Sequence, residues 1–264
     1  MEFTNNKLRV RAVSYLNTVP LVWGMLHGPE REQVDLSFSI PSDCARDVER
    51  DGAEIGLVPV AEIARQGLEI APGVGIACYS AVRSILLFAR VPWSQVKTMA
   101  ADASSRTSVQ LARVILRERY GLDPAISSEP PNLSQMLSHA DAALIIGDPA
   151  LQLDPLRTGY QYLDLGAEWM ALTGLPFVFA AWAGKPGFDL DRASKLTTSS
   201  YAFGRNHIEE IVEAEYARRR VSRETARRYL TEHIRFEIGR RERQGLEAFL
   251  ELADLRSTAL TART

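Results

Sequence analysis

The chain has 264 residues, of which 46% are hydrophobic, a share that predicts an ordinary globular core and is too low for a membrane protein. With 31 basic and 33 acidic residues, the formal net charge is −2, so no bulk attraction to nucleic acid is expected. The N-terminal stretch has no apolar run ahead of a small-residue cleavage site, and no other apolar run is long enough to span a bilayer. We therefore expect a soluble, cytoplasmic protein.

The first half of the chain alternates strand and helix patterns. Residues 8–13 alternate as a short strand and lead through Ser14 and Asn17 into an apolar, helix-like run. Further elements are predicted in the same manner, with strands at 34–40, 55–59, 76–81 and 84–90 and helices at 41–50 and 60–66. This βαβ order predicts a mostly parallel sheet.

A second α/β set follows the first. It is predicted to contain strands at 125–129, 142–146, 160–165 and 177–182 and helices at 109–120, 132–138 and 167–173. From Asp189 onward the pattern predicts only helices, at about 189–215, 222–232 and 238–255. The charged run Arg218–Arg220 lies beside several glutamates, which favours a solvated helix face over a nucleic-acid patch.

Two α/β sets followed by a helical tail predict two lobes with a cleft between them. We expect the first lobe to contain residues 1–90 and 184–264 and the second to contain residues 91–183, with the tail packed on the first lobe. A cleft between lobes is a favoured place for a small ligand.

The chain lacks the common catalytic and cofactor motifs. Cys44 and Cys78 lie far apart and outside any CxxC pattern, so two reduced thiols are expected, and the four histidines have no metal-ligand spacing. No GxSxG, HExxH or Walker sequence is present. The stretch from Gly73 to Gly75 lacks the third glycine of a dinucleotide fingerprint and is interpreted as a turn followed by the start of a strand.

Neutral polar residues instead gather at predicted strand ends. They are Ser14, Asn17, Ser84 and the stretch from Ser104 to Ser108, which precedes a helix. Hydroxyl, amide and helix N-terminal N–H groups bind carboxylates well, so the pattern favours a small organic acid as ligand. Two structural alternatives stay open: Asn17 or Thr18 could cap the helix that follows, and Asp148, before Pro149, fits an Asx-turn.

The segment from Ser14 to Leu21, with the sequence SYLNTVPL, resembles the N-terminal signature of the chorismate dehydratases, which open the futalosine route to menaquinone. Other segments resemble the same family in the same order, at 54–62, 82–87, 105–109, 146–151, 164–169 and 172–180. The resemblance runs from about Arg9 to Trp182, and the helical tail carries no signature.

The resemblance implies a two-lobed α/β fold like that of the type 2 periplasmic binding proteins, with ligand in the cleft. It also implies an enzyme that removes water from chorismate to give 3-[(1-carboxyvinyl)oxy]benzoate, with no cofactor. The scattered histidines separately predict no metal. The resemblance implies Asn17 and Ser84 as catalytic residues. Contacts to the substrate are expected from Ser14, Ser105, Arg106, Thr107, Ser108 and Asp148.

Two other functions are compatible with such a fold. One is the sister enzyme dihydroxynaphthoate synthase, whose first-strand motif is of the Ser-Pro-Cys-Pro-Asn-Asp-Thr type, whereas this chain has Ser-Tyr-Leu-Asn-Thr. The other is a solute-binding protein without catalysis, because fold does not determine function. The missing export signal argues against the second, and incubation with chorismate separates all three.

Overall fold

The computed structural model describes residues 7–102 and 106–255, which form two α/β lobes, each built on one sheet. The six strands of the first sheet are β1 (Leu8–Val13), β2 (Val34–Ser39), β3 (Ile55–Pro59), β4 (Glu69–Cys78), β10 (Phe177–Gly184) and β11 (Arg235–Ile238). The five strands of the second sheet are β5 (Ile85–Ala89), β6 (Thr98–Asp102), β7 (Ala125–Glu129), β8 (Ala142–Ile146) and β9 (Gln161–Asp164).

Helices cover these sheets. They are α1 (Val19–His27), α2 (Pro41–Glu49), α3 (Val60–Gln66), α4 (Arg106–Tyr120), α5 (Leu133–His139), α6 (Gly147–Gln152), α7 (Leu165–Thr173), α8 (Leu190–Arg205), α9 (Ile208–Glu215), α10 (Arg223–Arg228) and α11 (Arg240–Leu252). Because helices lie on both faces of each sheet, the central strands are buried throughout: every residue of β3, β5, β8 and β10 is buried. None of the helices in the described residues is both long and apolar enough to cross a membrane.

Both sheets are mixed rather than mostly parallel. The first has the order β11-β4-β10-β3-β1-β2, and the second has the order β7-β6-β8-β5-β9. Strand β1 pairs in parallel with β2 and β3, as the βαβ pattern predicts. Strand β6, which the sequence pattern missed, pairs in parallel with β7 and β8. Strands β10 and β11 pair antiparallel in the first sheet, and β5 pairs antiparallel with both of its neighbours in the second. Of these antiparallel strands, β5 and β10 each follow a point where the chain passes between lobes.

The chain changes sheets earlier than predicted at both crossings. Strand β5, at 85–89, was assigned to the first lobe but belongs to the second sheet, and β10, at 177–184, belongs to the first sheet. The crossings therefore lie between residues 78 and 85 and between residues 164 and 177. The apolar pattern marks both strands as buried, but a buried strand pairs equally well in either sheet, so the pattern cannot assign it to a lobe.

Two strand predictions need correction in the first lobe. Strand β4 continues through Gly73 and Gly75, where a turn was predicted, and Gly73 keeps a φ of +117° that disfavours other residues. Residues 235–238, predicted as loop and helix, form β11 and pair with β4. Exposed and buried residues alternate along β11, as is usual for an edge strand. The same alternation of charged and apolar residues is visible in the sequence of 235–238.

The tail packs on the first lobe, as predicted. Helix α8 lies along α1, where the Ser200 hydroxyl accepts from the Met25 N–H at 3.1 Å and donates to the Leu21 carbonyl at 2.8 Å. Beyond α10 the chain makes one wide π-helical turn, Tyr229–His233, before entering β11. This turn brings a tail residue into the interface between the lobes.

Candidate active site

The segment after β1 presents Asn17 to the interface between the lobes. Residues Leu16–Thr18 form a short 3-10 turn, and α1 begins immediately afterwards. No side chain caps α1, so the capping alternative for Asn17 and Thr18 is wrong. The Asn17 side chain instead donates from Nδ2 to the Tyr229 hydroxyl at 2.9 Å, and its Oδ1 is buried with no hydrogen-bond partner.

Ser84 reaches the same hydroxyl from the other lobe. It lies directly before β5, is only 2% exposed, and accepts a 2.8 Å hydrogen bond at Oγ from Tyr229. Asn17 and Ser84 thus share one hydrogen-bonding neighbour. Tyr229 is 1% exposed and was not among the predicted site residues.

Tyr229 remains a neutral hydroxyl at this position. Burial raises the pKa of its phenol well above the usual range, although the hydrogen bonds to Ser84 and Asn17 oppose that rise. A neutral phenol has one proton to donate and can accept as well. The centre formed by Asn17, Tyr229 and Ser84 is therefore uncharged, and we call it the polar triad.

The backbone before Ser84 is held in an uncommon conformation. Arg83 has a φ of +67°, and its guanidinium donates to the carbonyl oxygens of Ala150 (3.1 Å) and Leu153 at the end of α6. Asp164 accepts from the N–H groups of Val82 and Arg83 at 2.9 and 2.6 Å. Burial raises the pKa of Asp164, while these backbone donors oppose the rise. Together these contacts orient Ser84.

Asp148 joins the lobes next to the polar triad. Its Oδ1 accepts from the Leu16 N–H at 3.0 Å, and its Oδ2 accepts from Arg219 Nη1 at 2.6 Å. The same Nη1 donates to the Ser14 carbonyl at 2.7 Å, so Ser14 contributes its backbone here while its side chain is exposed. Asp148 thus makes contacts across the interface rather than the Asx-turn considered from sequence.

Arg219 departs from the solvated helix face that the sequence predicted for residues 218–220. It is held between Asp148 and Glu215, whose Oε2 lies 2.8 Å from Nε, and the side chains of both Arg219 and Asp148 are only 11% exposed. Burial by itself would lower the pKa of Arg219, but the two carboxylates more than offset this and raise it. The pair is therefore charged and mostly enclosed.

Gly147, the first residue of α6, allows the chain after β8 to approach the first lobe closely. Its N–H donates to the Ser84 carbonyl at 2.8 Å, and its φ is +64°. A Cβ atom there would lie 2.8 Å from the ring of Tyr15. A side chain at this position would therefore push the two lobes apart beside the polar triad.

The N-terminus of α4 forms a second contact between the lobes. Within the described residues α4 starts at Arg106, so Thr107 and Ser108 lie inside the helix rather than before it, where the sequence pattern placed them. Thr107 is buried and accepts from the Ala61 N–H at 3.1 Å, Ser108 is also buried, and Arg106 pairs with Glu62 at 3.2 Å. Ser105 lies outside the described residues.

Two surface cavities lie away from the polar triad. A cavity of about 650 Å³ is lined by residues of α8 and by Glu30, and another of about 470 Å³ lies between α5 and α6 on the second lobe. Neither is lined by a member of the polar triad.

Cys44 and Cys78 are free and buried, and burial raises the pKa of the Cys44 thiol to about 12, so neither cysteine fits a nucleophile. Within the described residues no group of three potential ligands is placed to hold a metal ion.

Two mixed α/β lobes that meet at a polar interface define a protein of the periplasmic-binding-protein-like class. Solved structures confirm the fold prediction. Because their sequence identities to this chain are low, the likeness shows the fold and not the function. A protein of Archaeoglobus fulgidus, AF1704, has a TM-score of 0.76 at 16% identity, with 96% of this chain and 98% of that chain covered. The aliphatic sulphonate binding protein SsuA of Escherichia coli has a TM-score of 0.64 at 14% identity, with 94% and 86% covered.

Within that class, this chain belongs to the menaquinone biosynthesis family, whose match extends over residues 8–254. The match includes the helical tail, where no signature was recognised from sequence. A chorismate dehydratase of Thermus thermophilus is 28% identical over 207 residues, covering 72% of this chain and 75% of that protein. A chorismate dehydratase of Campylobacter jejuni is 25% identical over 244 residues, covering 90% and 94%.

Proposed function

We propose that this protein is a chorismate dehydratase, which converts chorismate to 3-[(1-carboxyvinyl)oxy]benzoate and water. The observation that carries the proposal is the meeting of Asn17 and Ser84, from different lobes, at one buried hydroxyl. These are the two residues that the resemblance implies as catalytic, and their juxtaposition supports a shared role. Membership of the menaquinone biosynthesis family supports the same reaction.

The reaction needs orientation more than a strong acid or base. A ring C–H bond and the neighbouring C–OH bond break, the ring becomes aromatic, and the proton and hydroxide leave as water. Correct positioning contributes about 7–11 kcal/mol to such steps. The amide and hydroxyls of the polar triad are weak bases, which suits orientation, and the substrate's own enolpyruvyl carboxylate is then the acceptor of the ring proton.

The roles of the remaining residues follow from their positions. Asn17 orients the leaving hydroxyl or a carboxylate, and Ser84 donates to the same region. The first turn of α4, with Arg106, Thr107 and Ser108, offers N–H and hydroxyl groups to a carboxylate. Both carboxylate oxygens of Asp148 accept hydrogen bonds within the protein, one from the Leu16 N–H and one from Arg219. Asp148 therefore acts by positioning Leu16 directly and Ser14 through Arg219.

Incubation of the purified protein with chorismate tests the proposal. We expect the aromatic product to form without added metal or nucleotide, as followed by absorbance and by a mass that is lower by one water. The cofactor-free part is tested separately by adding a chelator, which should leave the rate unchanged. Persistence of chorismate beside an active control enzyme would refute the dehydratase assignment.

The same incubation separates the alternatives. A solute-binding protein would bind chorismate tightly with no turnover, and a dihydroxynaphthoate synthase would leave it unchanged. The cytoplasmic location expected from the sequence belongs to the proposal as well. It is checked by cell fractionation, in which the protein is expected in the soluble cytoplasmic fraction.

A further inference from the structure

Tyr229 belongs to the helical tail, where sequence analysis recognised no signature, yet it contacts both residues implied as catalytic. We propose that Tyr229 is a positioning residue, whose hydroxyl sets the directions in which Ser84 and Asn17 present their hydrogen-bonding groups to the substrate. This inference rests on the proposed dehydratase function and adds a third residue to its centre.

The first argument concerns the Ser84 proton. The Tyr229 hydroxyl has one proton, and it is donated to Ser84 Oγ at 2.8 Å. The proton of Ser84 itself must then point away from Tyr229. Ser84 is therefore presented as a donor, directed at an acceptor such as a substrate carboxylate or hydroxyl oxygen.

The second argument concerns the Asn17 amide. Its Nδ2 donates to the Tyr229 oxygen at 2.9 Å, while its Oδ1 is buried and unpartnered. If the amide turned over, Oδ1 would face an oxygen whose only proton is already given to Ser84. Tyr229 therefore holds Oδ1 toward the interface, where a buried acceptor without a partner is costly unless a ligand donor meets it. The hydroxyl of the substrate is such a donor.

The third argument concerns how firmly Tyr229 is placed. Its side chain is almost fully buried, and its turn is closed by the Ile234 N–H, which donates to the Tyr229 carbonyl at 3.1 Å. His233 Nδ1 lies 2.9 Å from the Ala81 carbonyl, which fixes the same turn against the segment leading to Ser84. Wide turns of this kind often occur at functional sites.

The variant Tyr229→Phe tests the proposal because it removes only the hydroxyl. We expect kcat on chorismate to fall about tenfold or more, with a smaller rise in KM, because both partners lose their orientation. The matched control is Tyr201→Phe: Tyr201 is also buried, and its hydroxyl donates to Glu237 at 3.0 Å away from the polar triad. Its kcat should equal that of the unaltered protein.

A double variant separates positioning from plain stability. If Tyr229 acts through Ser84, then Ser84→Ala with Tyr229→Phe should be little slower than Ser84→Ala, because coupled residues are not additive. Additive losses, or a Tyr229→Phe enzyme with unaltered kcat, would overturn the proposal.

A calorimetric titration with chorismate distinguishes this failure from that of the proposed function. If the unaltered protein binds chorismate without converting it, the dehydratase assignment fails. The positioning role is then tested by the affinity for chorismate. This affinity should fall about twofold or more in Tyr229→Phe and remain unchanged in Tyr201→Phe. Equal affinity in all three proteins, or no binding to any of them, would overturn the positioning role too.

Discussion

Asn17 and Ser84 face one hydroxyl because the backbone bends sharply at both residues. Asn17 lies in a 3-10 turn between β1 and α1, and Ser84 follows Arg83, whose φ is positive. Neither side chain is used to cap a helix or to fill a core. Two short polar side chains are thus held at a buried place where polar groups are stabilised only by hydrogen bonding.

The variant Asn17→Asp should lose turnover of chorismate by more than its small change in shape suggests. A carboxylate has no N–H to donate to Tyr229, would draw the Tyr229 proton away from Ser84, and would repel a substrate with two carboxylates. We expect a loss of about tenfold or more in kcat, near 1.4 kcal/mol.

The control for that variant is Asn132→Asp. Asn132 is exposed and caps α5 by accepting from the Gln135 N–H, a role in which aspartate serves equally well. Its activity and melting temperature should be unchanged. Turnover of Asn17→Asp equal to that of this control would remove Asn17 from the mechanism.

At the scale of elements, helix α4 contributes to the interface through its first turn. Thr107 is buried there and accepts from the Ala61 N–H at the start of α3, so its side chain makes a contact between the lobes. Free N–H groups at a helix N-terminus favour anions, and a substrate carboxylate is the anion expected. The proposed carboxylate site thus coincides with a contact between the lobes.

The variant Thr107→Val should weaken the binding of chorismate by about 1–3 kcal/mol, because the hydroxyl is lost and the Ala61 N–H is left without its acceptor. The dissociation constant is measured by calorimetry. Thr197→Val is the matched control, since Thr197 is equally buried but donates within α8 to the Ala193 carbonyl. Equal affinity in both variants, with a normal melting temperature, would place the carboxylate elsewhere.

At the scale of the whole molecule, Arg219 connects three parts of the chain. It pairs with Asp148 of the second lobe, donates to the Ser14 carbonyl of the first, and pairs with Glu215 of its own tail. The lobes are thus joined through one guanidinium beside the polar triad. Removing one partner of a buried ion pair leaves the others uncompensated, which costs more than the loss of an exposed pair.

The variant Arg219→Met should destabilise the protein by about 3 kcal/mol, because the buried Asp148 would keep only the Leu16 N–H as a partner and the buried Glu215 only the exposed Arg218. The melting temperature should fall by several degrees. The control Arg223→Met breaks an exposed pair with Glu213 and should cost about 1 kcal/mol or less. A similar small shift in both variants would contradict a structural role for the Arg219 pair.

Local patterns were sufficient for much of the fold and for part of the site. Apolar runs predicted four of the buried strands, β3, β5, β8 and β10. The predicted bounds of most helices were close to those observed. The N-terminal motif indicated the family that residues 8–254 match. Asn17 and Ser84 were also singled out, as polar residues at predicted strand ends and through the family resemblance. These features depend on neighbours in sequence, which a pattern records directly.

By itself, then, the sequence determined the class of fold, the buried strands and the polar residues at their ends, because burial and turn chemistry are local properties. Only the tertiary structure decided which sheet receives β5 and β10, and that Arg219 is enclosed rather than solvated. It alone also places Tyr229 between Asn17 and Ser84, at sequence separations of 212 and 145 residues. Such contacts depend on how separate elements pack, and no local pattern in the tail distinguishes a tyrosine that fills a core from one that orients a site.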